Sequence, residues 1–479
     1  MNKLLKYVAL GLGGVLLLLA VAVLAVVLLV DPNDYRDDIT NAVQQATGRE
    51  LKIEGDLGLS LFPWLGLTLG ETRLSNAPGF GDQAFARIAA VDIKLKLLPL
   101  LQRRVEMSTL HLQGLRVNLS RAADGRTNWD DLLAAPAKAA QEKMPATGQA
   151  APQAGTEPKG TVMPLASLAI GGLDIEDAQI LWDDKQAGQR LAVDKFNLRT
   201  GPVVLREPID IRLSTQVSVA QPALQTPIKL QTRLTLDPEA QRYRLQGLDV
   251  SVNLQGDMLP VSPLNARLRA NVDADLAKQQ LDVAGLQLQA LGVNAKGQVN
   301  VQQLLSTPRA QGQLALAEFS PRDVAKTLNI TLPATADAKV LNKARVELAF
   351  AGSPDAVSVK RLDVTLDDSQ LSGNLKLQDF AKPALRFDLQ LNGIDVDRYL
   401  PPQSEAPPPS PAGAAVAGTQ LPLDMLRGLD IKGDLRVGRL TVAKAQLADI
   451  VLGLTAKAGR IALFPAQAKL YQGDYSGHV

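Results

Sequence analysis

From residue 51 onward, apolar side chains recur at every second position. Leu51 and Ile53 begin the pattern, Leu57, Leu59 and Leu61 continue it, and Leu65, Leu67 and Leu69 resume it after Pro63. Val91, Ile93, Leu95 and Leu97 form another run with Asp92, Lys94 and Lys96 between them, and Leu115, Val117 and Leu119 alternate with Arg116 and Asn118. The alternation returns at 211–219, at 228–236 with Leu230 and Leu234, at Val357 and Val359, and at 385–391. A period of two sends neighbouring side chains to opposite faces, so these segments predict strands with one apolar face, and the Gly, Asn, Asp and Pro between them predict turns. Helical periodicity is scarce. Asp31 suits an N-cap with Pro32 at N1, and Tyr35, Ile39 and Val43, with Ala42 and Ala46 beside them, form one stripe that ends at Gly48. This predicts a core helix plugging one end of the sheet. Shorter helices are expected at 128–133, 320–328, 395–400 and 422–426. They are too few to cover a long sheet, so the architecture is mostly β. The apolar face has to be hidden in a sandwich (the default), in a closed barrel, or in a trough that holds something apolar; alternation leaves all three open.

The first thirty residues follow a different rule. From Tyr7 to Val30 every residue is apolar or glycine apart from the tyrosine phenol. At 1.5 Å per residue that is roughly 36 Å of helix, enough to cross a bilayer. Lys3 and Lys6 precede the segment, and Asp31, Asp34, Arg36, Asp37 and Asp38 follow it. Positive charge stays inside, so residues 1–6 are expected in the cytoplasm, 7–30 as a transmembrane anchor, and the body on the far side. Ala20-Val21-Ala22 would pass as a signal-peptidase site, but the apolar run continues well beyond a signal peptide's h-region, which favours a retained anchor. Two stretches, 134–164 and 401–420, are rich in Ala, Pro and Gln and lack periodicity, so they read as flexible linkers. They read as insertions in one continuous β structure, with division into three domains as the alternative; they separate an N-terminal helix and strands at 31–133, a central β region at 165–400, and a C-terminal β region at 421–479.

Composition narrows the function. Of 479 residues 46% are hydrophobic and only 4% aromatic, so the apolar positions are filled by Leu, Val, Ile and Ala. A formal net charge of +2 gives no basic field for nucleic acid. The absence of cysteine removes disulfides, thiol nucleophiles and thiolate metal sites, and two histidines, His111 and His478, leave little for a triad or a His-rich metal centre. No phosphate-binding loop, GxSxG, HExxH or EF-hand pattern occurs, so neither an enzyme nor a nucleotide, cofactor or metal protein is expected. The acidic pairs Asp130-Asp131, Asp183-Asp184 and Asp367-Asp368 cannot converge on one ligand as sequence neighbours, and they read as solvated turns. His111 reads as an ordinary strand residue. Phe62 and Trp64 read first as core aromatics flanking a strand break, and second as aromatics at a membrane-proximal mouth. Trp129 is expected to anchor a short helix onto the sheet.

Ordered segments along the chain resemble the AsmA family. They include DPNDYRDDITNAVQQATGRELKIEGDLGLSLFPWLGLTLGETRLSNAPGF, VDIKLKLLPLLQRRVEMSTLHLQGLRVNLSRAADGRTNWDDL, FSPRDVAKTLNITLPATADAKVLNKARVELAFAGSPDAVSVKRLDVTLDDSQLSGNLKL and LNGIDVDRYLPP. The resemblance implies a protein of the Gram-negative envelope, single-pass in the inner membrane with a periplasmic body. It implies a long, twisted antiparallel β-sheet curled into an apolar groove, akin to bridge-like lipid-transfer proteins. It also implies that phospholipid moves along the groove towards the outer membrane, with envelope proteins as partners at the distal end. On that reading the groove lining is expected to include Leu57, Leu59, Leu61, Phe62, Trp64, Leu65, Leu67, Leu69, Val91, Ile93, Leu95, Leu97, Leu230 and Leu234. Family members run on past LYQGDYSGHV, so the C-terminal β region is expected to be truncated. The contrasting expectation is a periplasmic scaffold or chaperone for outer-membrane proteins that carries no lipid.

Overall fold

The computed structural model describes residues 31–60, 64–96, 106–132, 169–402, 430–457, 459–470 and 473–477. The segment expected as the membrane anchor and the two linkers, apart from residues 401–402, lie outside the described residues, as does the helix expected at 422–426. Among the described residues no helix is long and apolar enough to cross a membrane. These residues form two compact units. One runs to Thr235 and takes in Leu254–Met258; the other comprises Leu236–Asn253 and Leu259 onward.

In the first unit the chain opens with a 3-10 turn, Pro32–Tyr35, capped by the Asp31 carboxylate, which accepts the Asn33 N–H. Helix α1 (Arg36–Thr47) follows and stops at Gly48, whose φ of +72° is cheap for glycine and breaks the helix. The ends match the sequence expectation, but the core role does not. No residue of α1 is buried, and Tyr35 is 55% exposed. Its four apolar residues in twelve, Ile39, Val43 and the small Ala42 and Ala46, make too slight a stripe to seat the helix in a core.

The strands then run β1 (Leu51–Ile53), β2 (Leu57–Ser60), β3 (Trp64–Leu69), β4 (Thr72–Leu74), β5 (Ala86–Ile88), β6 (Ala90–Lys96), β7 (Glu106–Gln113), β8 (Arg116–Arg121), β9 (Ala169–Asp184), β10 (Gln189–Thr200), β11 (Pro208–Val219) and β12 (Leu224–Asp237). Short neighbours belong to single kinked paths. β1 pairs with β4 and β2 with β3, and the kink falls where Gly55 and Gly70 meet so closely that a Cβ on either would lie under 3 Å from the other's backbone. From β9 to β12 the strands are long antiparallel hairpins.

In the second unit the order is β13 (Arg242–Leu254), β14 (Leu264–Asp275), β15 (Gln280–Ala290), β16 (Val293–Gln302), β17 (Arg309–Phe319), α2 (Pro321–Thr327), β18 (Ala344–Ser353), β19 (Ala356–Leu366), β20 (Ser369–Gln378), β21 (Ala384–Leu391), β22 (Ile394–Asp395), β23 (Asp430–Val442), β24 (Ala445–Lys457), β25 (Arg460–Leu470) and β26 (Gly473–Gly477). Ser320 caps α2 as its sequence predicts, and the helix expected at 395–400 is a single 3-10 turn, Val396–Arg398.

The expectation of a purely antiparallel sheet is corrected at two places. β9 runs parallel to β7 and β8, and β23 runs parallel to β21 and β22. A parallel neighbour needs a crossover of a dozen residues or more. Both parallel steps fall where the chain passes through its Ala- and Pro-rich stretches, each longer than the dozen residues that a crossover needs. From β14 to β17 and from β18 to β21 short turns enforce antiparallel pairing. Bulges interrupt the register in β9/β10, β14/β15, β15/β16, β18/β19 and β24/β25, and Asp177, Lys195 and Asp449 adopt left-handed φ near +50° in the bulged strands. Each bulge adds a residue on one side of a pair and increases local twist.

Candidate functional site

Residues in register across a sheet share a face. In the first unit one register line runs Leu57, Leu69, Val91, Leu112, Ile175, Leu198, Leu213, Leu230, from β2 to β12 through the parallel β7–β9 step. Beside it lie Leu59, Leu67 and Ile93, then Leu65, Leu95 and Met107. Leu234 sits four residues beyond Leu230 on the same face of β12, opposite Ile209. Thus Leu57, Leu59, Leu65, Leu67, Leu69, Val91, Ile93, Leu95, Leu230 and Leu234, named from sequence, come to one surface. Trp64 takes the register position opposite Lys96, out of step with the leucines of β3. Leu61, Phe62, Leu97, Lys3, Lys6, Tyr7 and Val30 lie outside the described residues.

The second unit carries a longer version. One line reads Val272, Val283, Val299, Gly312, Phe350, Val359, Leu375, Phe387, Gly433, Leu454, Leu463 from β14 to β25. A second reads Leu268, Leu288, Ala295, Leu316, Val346, Val364, Leu371, Leu391, Val437, Ile450, and no polar side chain interrupts either. Where a line carries glycine, the neighbour covers it: a Cβ at Gly433 would meet the Phe387 ring at 2.5 Å, and one at Gly312 would meet the Phe350 ring at 2.9 Å.

The degree of burial separates this face from a sandwich core. Of the first unit's line only Leu57 is buried; the others are half-buried, as are most positions of the second unit's lines. In a closed sandwich the two inner faces interdigitate and bury such residues. The opposite face is charged and paired. Arg267 and Arg269 both hold Asp249, Arg242 holds Asp273, and Arg361 holds Asp363. The Arg267 guanidinium keeps the Asp249 carboxyl below the usual carboxylate range.

Two polar knots brace the sheet, and both use acidic pairs that the sequence presents as solvated turns. In the first unit Arg49, 2% exposed, grips Asp131 through two bonds of 2.5 and 2.8 Å, donates to the Asn128 carbonyl, and lies 4.5 Å over the Phe85 ring. The Arg49 bond holds the Asp131 carboxyl below its ordinary range. Asn128 is fully buried; its amide accepts the Ser120 N–H and donates to Asn118 O and Asn76 Oδ1. Trp129 packs against Trp182 of β9 at 5.3 Å, which fixes the short turn to the sheet as expected. Asp184 is buried and pairs with Arg121. In the second unit Asp367 accepts the Leu341, Asn342 and Lys343 N–H groups and the Tyr399 hydroxyl, while Arg398 bridges Asp337 and Asp368. Burial, with the Asp367 bond, pushes the Tyr399 phenol up to about 12. The local sequence carries no sign of these ties, because the acidic residues and their partners are 24 to 82 residues apart. His111 lies 3.6 Å from Asp174 with half its side chain in solvent. Among the described residues no cluster of acidic or histidine side chains is arranged to hold a metal ion.

Comparison with known proteins completes the description. The chain matches the AsmA family over residues 1–479. Protein AsmA of Escherichia coli (strain K12) is 30% identical over 105 residues, a stretch covering 22% of this chain and 17% of that protein. No solved structure matches. The match along the full length, on a mostly β chain with its ordered motifs, shows that the chain belongs to the AsmA family.

Proposed function

We propose that this protein conducts phospholipid along the apolar face of its sheets, from an inner-membrane anchor formed by residues 7–30, through the periplasm towards the outer membrane. One observation carries the reading: lines of apolar, mostly half-buried residues, with no polar side chain among them, cross eleven strands in the second unit and eight in the first. At about 4.8 Å between strands, ten steps give about 48 Å of apolar surface in the second unit alone. An acyl chain lying on it keeps its methylenes from water at roughly 0.8 kcal/mol each, which offsets most of what is lost on leaving a bilayer. A lining of Leu, Val and Ile offers no directional bond to any one lipid, so lipids slide. Headgroups stay in solvent, and direction is supplied by a gradient or by envelope partners.

The test is the lipid itself. Mass spectrometry of a solvent extract of the purified full chain is expected to find phospholipid; an empty protein would favour the periplasmic scaffold instead. Leu230→Glu with Leu234→Glu, on one face of β12, is expected to abolish lipid passage while secondary structure and membrane attachment persist. Full function with both charges in place would refute a lipid path along this face.

A further inference from the structure

We infer that phospholipid lies across the first unit's apolar face with its acyl chains along the strands and its headgroup phosphate on Arg121, beside Trp129 and Trp182; the inference rests on the lipid-conducting reading above. A further register line of that face runs Leu119, Trp182, Leu191, Val219, Leu224 from β8 to β12. Val219 stands six residues from Leu213 on β11, with no bulge against β12 between them, so the two lines share one face. All five side chains are half-buried. Two residues beyond this line, at the end of the face, the register pairs Arg121 with Asp184. The face therefore ends on charge at this rim, where the 185–188 turn joins β9 to β10. The other end of β11 finishes on Ile209, opposite Leu234.

The local chemistry suits a phosphate ester at the edge of an apolar bed. The Arg121 guanidinium lies 5.5 Å from the Trp182 ring centre and gives its Nη1 to Asp184 at 3.2 Å. Asp184 is buried and also accepts the Gln186 and Ala187 N–H groups at 3.0 Å, so three donors share its charge. Among the described residues no other acceptor holds the Arg121 side chain, which is 39% exposed. Its remaining N–H groups form a fork in one plane, the geometry that binds phosphate oxygens. Trp129 meets Trp182 at 5.3 Å, and tryptophans, apolar in body with an N–H at the tip, suit the headgroup level of an interface. The lengths agree. From Trp182 to Ile175 on β9 the bed is about 20 Å long at roughly 3.3 Å per residue, and one acyl chain spans half of a ~30 Å hydrocarbon core, about 15 Å. A chain anchored at Arg121 thus reaches the line of Ile175 and Leu198 without leaving the face.

The test uses the full chain carrying Trp64→Phe, so that tryptophan emission comes from Trp129 and Trp182 alone. It is reconstituted in vesicles of phosphatidylethanolamine brominated either near the ester end or near the methyl end of its chains. Ester-end bromines are expected to quench the emission more strongly than methyl-end bromines. Equal quenching, or the reverse order, would overturn the orientation while leaving the lipid path standing; no quenching by either would instead overturn the lipid reading. Arg121→Gln, whose amide can still donate to Asp184, tests the phosphate contact. With brominated phosphatidic acid as the titrant it is expected to weaken binding about tenfold, the scale of one charge-assisted hydrogen bond, and with brominated diacylglycerol to change nothing. Equal loss of both ligands, or loss of neither, would overturn the assignment of Arg121. If Arg121→Gln melts early, Arg121→Lys, which keeps the charge but not the fork, is the comparison: a loss of about threefold for phosphatidic acid alone supports the site, and no difference between the two ligands overturns it.

Discussion

Asn128→Ala is expected to be among the most destabilising single changes in the first unit, although it removes only a short polar side chain. The amide is fully buried and serves three partners: the Ser120 N–H, the Asn118 carbonyl and Asn76 Oδ1, at 2.9, 2.8 and 2.9 Å. Alanine leaves all three without it. A buried polar group stripped of its partner costs about 1–3 kcal/mol, and some rehydration through the vacated space lowers the sum, so the expected loss is about 3–5 kcal/mol. The Asn128 carbonyl would still accept from Arg49, but its position, set by the side chain, loosens and weakens the Arg49–Asp131 pair as well. Trp64, Trp129 and Trp182 are the chain's three tryptophans and all lie in the first unit, so tryptophan fluorescence in urea follows that unit's unfolding. With a urea slope of about 2–3 kcal/mol/M, the midpoint should fall by about 1–2 M. Asp130→Ala, which removes an exposed carboxylate that caps Thr127, is the control and should shift the midpoint far less. If Asn128→Ala shifts the midpoint no more than Asp130→Ala does, the knot does not hold the unit together and the reasoning from buried partners fails.

Other expectations follow from the same structure. Tyr399 is raised to about 12 from an ordinary 10, so the fold favours its neutral form; that contribution is complete below pH 10 and is lost as pH rises from 10 to 12. Tyrosinate absorbance should show one late-titrating phenol that disappears in Tyr399→Phe, and its presence in that variant would refute the assignment. Gly433→Ala forces a Cβ to within 2.5 Å of both the Phe387 ring and the Phe387 carbonyl, and should cost about 1–3 kcal/mol in thermal unfolding. Phe387→Leu in the same chain should recover only part of this, because the carbonyl clash remains. Deleting 141–161 or 403–418 should alter melting little, since more than the dozen residues a parallel crossover needs would remain in each connection; loss of folding on either deletion would show that the segment is structural.

Period-two alternation determined the strands. It located the runs that became β3, β6, β11, β12 and β21, because each places its apolar residues on one side and its charges on the other. Caps also read directly: Asp31, Ser320 and Gly48 act through bonds to their own neighbours. So did the sharing of a face by Leu57, Leu67, Val91 and Leu95, since adjacent strands of equal phase meet in register. What the sequence by itself left open was everything set by partners far along the chain. It did not reveal that β9 and β23 run parallel to their neighbours, because strand direction depends on what a long connection spans and not on the strand's own residues. It did not reveal the knots of Arg49 with Asp131 or Asp367 with Tyr399, because an acidic pair in solvent and one beneath a distant arginine have the same local pattern. Nor did it choose between a core and an open surface, since alternation records that a face is apolar and is silent on what lies against it. Only the tertiary arrangement, in which most of the apolar lines are half-buried, decided that point: burial depends on the second layer, and a strand's sequence encodes one side of that contact.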